Sequence, residues 1–221
     1  MRLPHSRRGR ALRLPRRVAA ALLAVGATVS LSACDPAQVG AAAIVDGKSI
    51  SVEQLQDATT GFLAVAPQVD AREAQGRILE RMILSRVIAE TAAEAGVSTT
   101  AGEVASQRQQ IADSVGGDKA LVQALAQQQP PTVLAPSYVE QWTRDRVLFA
   151  KLAAKLAAGS DPGSQQAGMA VSDALVATSK KMDIDVNPRY GTWDPSRGLQ
   201  PELSGGLSKT VDELTSPTPA Q

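Results

Sequence analysis

The chain has 221 residues with 23 basic and 22 acidic side chains, a formal charge of +1. That near-neutrality hides an uneven distribution: seven arginines fall within residues 1–17, and no Asp or Glu precedes Asp35. Removing the N-terminus at Cys34 would leave 188 residues with 16 basic and 22 acidic groups, a net charge of −6 and enough chain for one modest domain. His5 is the single histidine and Cys34 the single cysteine, so that remainder has no imidazole and no thiol beyond its first residue. This excludes Ser-His-Asp and Cys-His catalysis, His- or Cys-ligated zinc and an internal disulfide. An acidic chain with six aromatic residues also argues against nucleic-acid binding, which needs a basic face. Carboxylates, serines and lysines remain, so enzymes are disfavoured without being excluded. Nothing in the composition calls for a cofactor or a metal.

The first segment reads as an address. Residues 1–17 are basic, and Val18 to Ala33 form sixteen uncharged, mostly apolar positions. Such a stretch is short for a dedicated membrane span of about 20 residues and fits a secretory signal over residues 1–33. It ends Leu31-Ser32-Ala33-Cys34, which resembles the bacterial lipobox. That resemblance implies diacylglyceryl modification of Cys34, cleavage before it, and an anchor on the extracytoplasmic face of the cell membrane. Two acyl chains on one residue meet the requirement for stable anchoring. The alternative is a secreted protein whose cysteine falls there by chance. Arg7-Arg8 and Arg16-Arg17 leave twin-arginine export open beside the general route, although their flanking residues fit it poorly.

Residues 34–40 read as a lipidated tether. Ala42 to Ile50 place two apolar runs around Asp46-Gly47, a pair suited to a type I′ hairpin turn. So short a hairpin needs a further strand or a helix to support it. Capping boxes then mark helix starts: Ser51 with Gln54, Thr100 with Glu103, Ser137 with Glu140, and an acidic version at Asp70 with Glu73. Helices are expected over about 52–65, 71–95, 101–114, 119–128 and 138–158, with a weaker one over 165–181. Gly96 is placed to end the second as a left-handed cap. Ile184 to Val186 alternate like a strand. From Pro195 to 221 the chain is rich in Gly, Ser, Pro and Thr and reads as a disordered tail, with a helical turn conceivable over 207–214. The fold class is mostly α with one small sheet.

Ala43-Ile44-Val45-Asp46-Gly47-Lys48-Ser49-Ile50-Ser51, Ile78-Leu79-Glu80-Arg81-Met82-Ile83-Leu84 and Glu94-Ala95-Gly96-Val97-Ser98 together resemble the N-terminal domain of the SurA/PrsA extracytoplasmic foldases. Asn187-Pro188-Arg189-Tyr190-Gly191-Thr192-Trp193 is similar to the closing segment of actinobacterial members. The resemblance implies a helical domain over residues 41–194, akin to the peptide-binding domains of SurA and trigger factor. A C-terminal strand would return to complete a three-stranded sheet. Isomerase members insert a domain-sized parvulin module before that segment, whereas Gly159 to Asp183 here is only 25 residues, too few for a domain. Parvulin sites use histidines, and none follows Asp35. A chaperone-only module is therefore implied.

Such a module would hold unfolded or newly exported polypeptides in an apolar cleft between helices. Phe62, Met82, Tyr138, Trp142 and Phe149 are the candidate contacts, because aromatic and Met side chains give adaptable apolar area. Each of them also reads as a plain core residue. Asn187, Pro188, Arg189, Tyr190, Gly191 and Trp193 read as fold-closing. Two other functions stay open: an adaptor or structural lipoprotein with one dedicated partner, and an enzyme, most naturally a prolyl isomerase.

Overall fold

The computed structural model describes residues 40–128, 132 and 135–201. The expected signal segment, lipobox and Cys34 lie outside the described residues, as do residues 202–221. Six α-helices, a three-stranded antiparallel sheet and a separate two-stranded ribbon make up the described chain. None of its helices is long and apolar enough to cross a membrane.

The described residues open with a hairpin, β1 (Ala41–Val45) and β2 (Lys48–Ser51), paired Val45 to Lys48 and Ala43 to Ile50. Asp46 and Gly47 have φ of 48° and 71°, the left-handed pair a two-residue type I′ turn requires. The support the hairpin needs comes from the far end of the sequence. Strand β3 (Ile184–Val186) lies antiparallel on the other side of β1, giving the order β2-β1-β3. Two bonds pin this return: the Asp46 amide donates to the Asp183 carbonyl at 2.8 Å, and the Asp183 amide to Asp46 Oδ1 at 2.9 Å.

Helix α1 (Val52–Leu63) starts at a complete capping box, in which Ser51 Oγ accepts from the Gln54 amide and Gln54 Oε1 from the Ser51 amide. Leu55, Ala58, Thr59 and Phe62 follow at helical spacing and are all buried. Helix α2 (Ala71–Glu94) is capped by Asp70, whose Oδ1 accepts from the Arg72 and Glu73 amides. The reach-back from Glu73 does not form; that carboxylate lies 3.7 Å from Arg77 instead. At the other end Gly96 (φ 62°) allows a Schellman closure, with Val97 bonded to the Ala92 carbonyl and Gly96 to that of Ala93.

The Thr100–Glu103 box opens α3 (Ala101–Val115) as expected. Glu103 also accepts from Lys151 Nζ at 2.6 Å, and these donors hold its carboxyl at about 2, well below the usual range. Helix α4 (Asp118–Ala126) follows the Gly116-Gly117 break. Before α5 (Val139–Leu156) the sequence expectation fails. Pro136–Tyr138 form a 3-10 turn, so Ser137 sits inside a turn and cannot serve as an extended N-cap. Glu140 instead lies near Arg144. Helix α6 (Gln165–Ser179), capped by Ser164, occupies most of the span between α5 and β3.

The main core joins the sheet to α1 and α2 around Val45, Leu55, Phe62, Leu79 and Ile83. A second cluster packs α5 and α6 on the end of α2 through Ala92, Leu148, Leu152 and Val171. A third holds α4 on the start of α5 through Leu121, Leu125, Val139 and Trp142.

The closing segment differs from a single strand. Asn187 donates to the Ala42 and Ala41 carbonyls, and its Oδ1 accepts from the Arg189 amide, opening a 3-10 turn over Pro188–Tyr190. Trp193 then packs on the main core and donates Nε1–H to Ser179 Oγ at 2.9 Å. It lies in β4 (Thr192–Asp194), which pairs with β5 (Gly198–Gln200). Disorder from Pro195 onward is thus incorrect for residues 195–200. Asp194 Oδ1 accepts from the Ser196 and Arg197 amides, a turn that reverses the chain, and Leu199 packs on the main core. Composition alone missed that anchor.

Candidate functional site

Helices α2 and α5 border an open cleft whose lining comes from two helical rows. From α2 come Arg81, Met82, Ser85 and Arg86; from α5 come Gln141, Trp142, Asp145, Arg146 and Phe149, with Tyr138 one residue before that helix. One chamber, about 250 Å³, is lined by Ile50, Met82, Arg86, Tyr138 and Trp142. A second, about 630 Å³, is lined by Leu84, Ile88, Trp142, Arg146 and Phe149. Arg81, Ser85, Trp142 and Asp145 line both chambers and so mark where the two adjoin.

Four of the five aromatic and Met candidates therefore meet at one place. Trp142 is mostly buried, with the Arg146 guanidinium 5.0 Å from its ring centroid. Tyr138 is half-buried and directs its hydroxyl at the Met82 sulfur, 4.0 Å away. Phe149 is 36% exposed at the outer chamber. Phe62 does not belong with them. It is 0% exposed within the main core, because its helix turns that face onto the sheet and α2. Of the closing residues, Arg189 and Tyr190 line neither chamber; they border a separate hollow that shares Arg77 and Glu80 with the second.

Polar residues between the chambers escaped the sequence reading. Ser85 donates to Asp145 Oδ1 at 3.0 Å, and Gln141 Nε2 donates to both Ser85 Oγ at 2.8 Å and Asp145 Oδ1 at 2.9 Å. This network ties α2 to α5 within the cleft lining. The available signal was a pair of polar residues four apart on each helix, Arg81 with Ser85 and Gln141 with Asp145, interrupting otherwise apolar rows.

Burial pushes the Asp145 carboxyl above the usual range, against the opposing pull of the Gln141 and Ser85 bonds and of Arg81 and Arg144. Burial likewise lowers the Arg81 guanidinium, with Asp145 and Glu80 opposing, and raises the Tyr138 phenol. A carboxyl raised on folding contributes stability at low pH that is lost as pH climbs through its folded value. Asp145→Asn keeps an oxygen for both donors and carries no charge. Its denaturation midpoint relative to the native chain should therefore rise as the pH climbs above the ordinary carboxylate range of about 4. A relative fall over that climb would show that the charged form is the stabilised one.

Among the described residues no group of three or more His, Cys, Asp or Glu side chains is placed to hold a metal ion. Comparison with protein-family models, with curated proteins and with solved structures finds no match for this chain.

Proposed function

We propose that this chain is a lipid-anchored extracytoplasmic chaperone that holds unfolded or newly exported polypeptides in the α2–α5 cleft, without isomerising prolyl bonds. The observation that carries this reading is the convergence of Met82, Tyr138, Trp142 and Phe149 on two adjoining chambers open to solvent. Aromatic rings and a thioether make contacts of low directionality, suited to clients that share apolarity and not sequence. The lipobox over Leu31 to Cys34 supplies the anchor in this reading, and α6 fills the span where an isomerase would carry its inserted domain. The SurA-like resemblance of the hairpin, the long second helix and the closing segment points the same way.

The test uses the full chain in nanodiscs of zwitterionic lipid, titrated into several unrelated proteins that aggregate as they refold. Light scattering should fall at near-stoichiometric ratios. Phe149→Glu places a charge at the half-open rim, so it should leave the melting temperature unchanged while raising the amount needed for half-suppression by roughly threefold or more. A proline-containing peptide should isomerise at its uncatalysed rate. Unchanged aggregation of every client would reject the chaperone reading and leave a dedicated adaptor, found by its single partner.

A further inference from the structure

We propose that the cleft selects apolar segments bearing a carboxylate, which Arg81 receives where the two chambers adjoin. The inference rests on the cleft being a polypeptide site, as proposed above, and names the chemistry of what it prefers.

Arg81 lines both chambers, and among the described residues Asp145 and Glu80 act on its guanidinium through their charge, with no direct hydrogen bond or close ion pair to it. Neighbouring arginines are engaged. Arg86 gives its two terminal nitrogens to the Lys48 and Ser49 carbonyls, Arg144 lies 3.8 Å from Glu140, and Arg146 covers the Trp142 ring. The acidic groups nearest Arg81 are also engaged. Asp145 Oδ1 already accepts from Ser85 and Gln141, and Glu80 accepts from the Leu199 amide at 3.4 Å. A planar fork of five N–H donors thus faces the cleft with its bonding capacity unspent.

Charge balance agrees. The two chambers are bordered by four arginines, Arg77, Arg81, Arg86 and Arg146, against two carboxylates, Glu80 and Asp145. The chain beyond Cys34 has the opposite sign, with more acidic than basic groups. A locally cationic cleft on an acidic protein draws anionic segments in and repels cationic ones before contact. Met82 and Trp142 line the cleft with Arg81 and strengthen the interaction, because a half-buried guanidinium has less solvation left to lose when a carboxylate arrives.

Three fluorescent peptides with one apolar, aromatic core, flanked by Glu, Gln or Lys, test this by anisotropy against the full chain in zwitterionic nanodiscs. The Glu peptide is expected to bind about tenfold more tightly than the Lys peptide, with Gln between them, and added salt should narrow the gap. Arg81→Gln should collapse the gap while the Gln peptide keeps its affinity. Arg146→Gln, at an exposed position, should narrow it only slightly. The peptide series in the unaltered protein decides the preference even if Arg81→Gln misfolds. Equal affinities, or tighter binding of the Lys peptide, overturn the selectivity and leave the cleft reading intact. No binding of any peptide overturns both. A Glu preference that persists undiminished in folded Arg81→Gln removes Arg81 as the receiving group.

Discussion

Phe62→Ala is expected to lower the unfolding free energy by about 3–5 kcal/mol, read from the midpoint of chemical denaturation. Phe62 is 0% exposed and shares the main core with Leu55, Leu79 and Ile83, so truncation leaves a cavity that rigid neighbours cannot fill. Against a typical domain stability of about 5–15 kcal/mol, that loss removes much of the fold's margin. The same change also separates two meanings of an aromatic side chain in this protein. Phe149→Ala, at the cleft rim, should cost under about 1 kcal/mol and weaken client binding instead. Should Phe62→Ala prove nearly neutral, the core would not be packed around it, and a client-facing role would be restored.

Gly191→Ala should destabilise by about 2 kcal/mol or more, through two effects that add. Gly191 has φ of 121°, where any side chain is strained, and a Cβ there would collide with the Gln200 carbonyl and press within 3.3 Å of Pro201 Cα. Backbone atoms cannot swing aside as a side-chain end can, so the β4–β5 ribbon must open. Gly117→Ala is the matched control. Its φ of 108° carries similar strain, but nothing lies within 4 Å of the added carbon, so it should cost only about 1 kcal/mol. Hydrogen exchange at the Trp193 and Leu199 amides should quicken in Gly191→Ala alone. Equal behaviour of the two variants would mean the close approach does not govern the ribbon.

These contrasts show which parts of the molecule were legible beforehand. The hairpin, six helices and the returning strand could be read because their signals are local: a Gly after Asp for the turn, capping oxygens at Ser51 and Thr100, and Gly96 at a helix end. The failures at Ser137 and after Pro195 have local and distant causes respectively. Pro136 pulls its successor into a 3-10 turn, whereas β5 is ordered by a core that assembles from residues more than a hundred positions away.

The candidate site divides in the same way. That aromatic and Met residues on α2 and α5 belong to apolar rows follows from helical periodicity alone. Which of them reach a cleft depends on how the two helices are rotated and spaced, and one sequence does not encode that as a local pattern. Phe62 and Phe149 look alike in the chain, yet one is sealed against the sheet and the other borders open space. The network of Ser85, Gln141 and Asp145, and the place of Arg81 where the two chambers adjoin, exist only once α2 lies beside α5. By itself the sequence determined the hairpin, the six helices, the returning strand and the absence of imidazole and thiol chemistry after Cys34, but neither the start of α5 nor the β4–β5 ribbon. Only the tertiary structure decided which side chains share a cavity, because that depends on packing between elements some sixty residues apart.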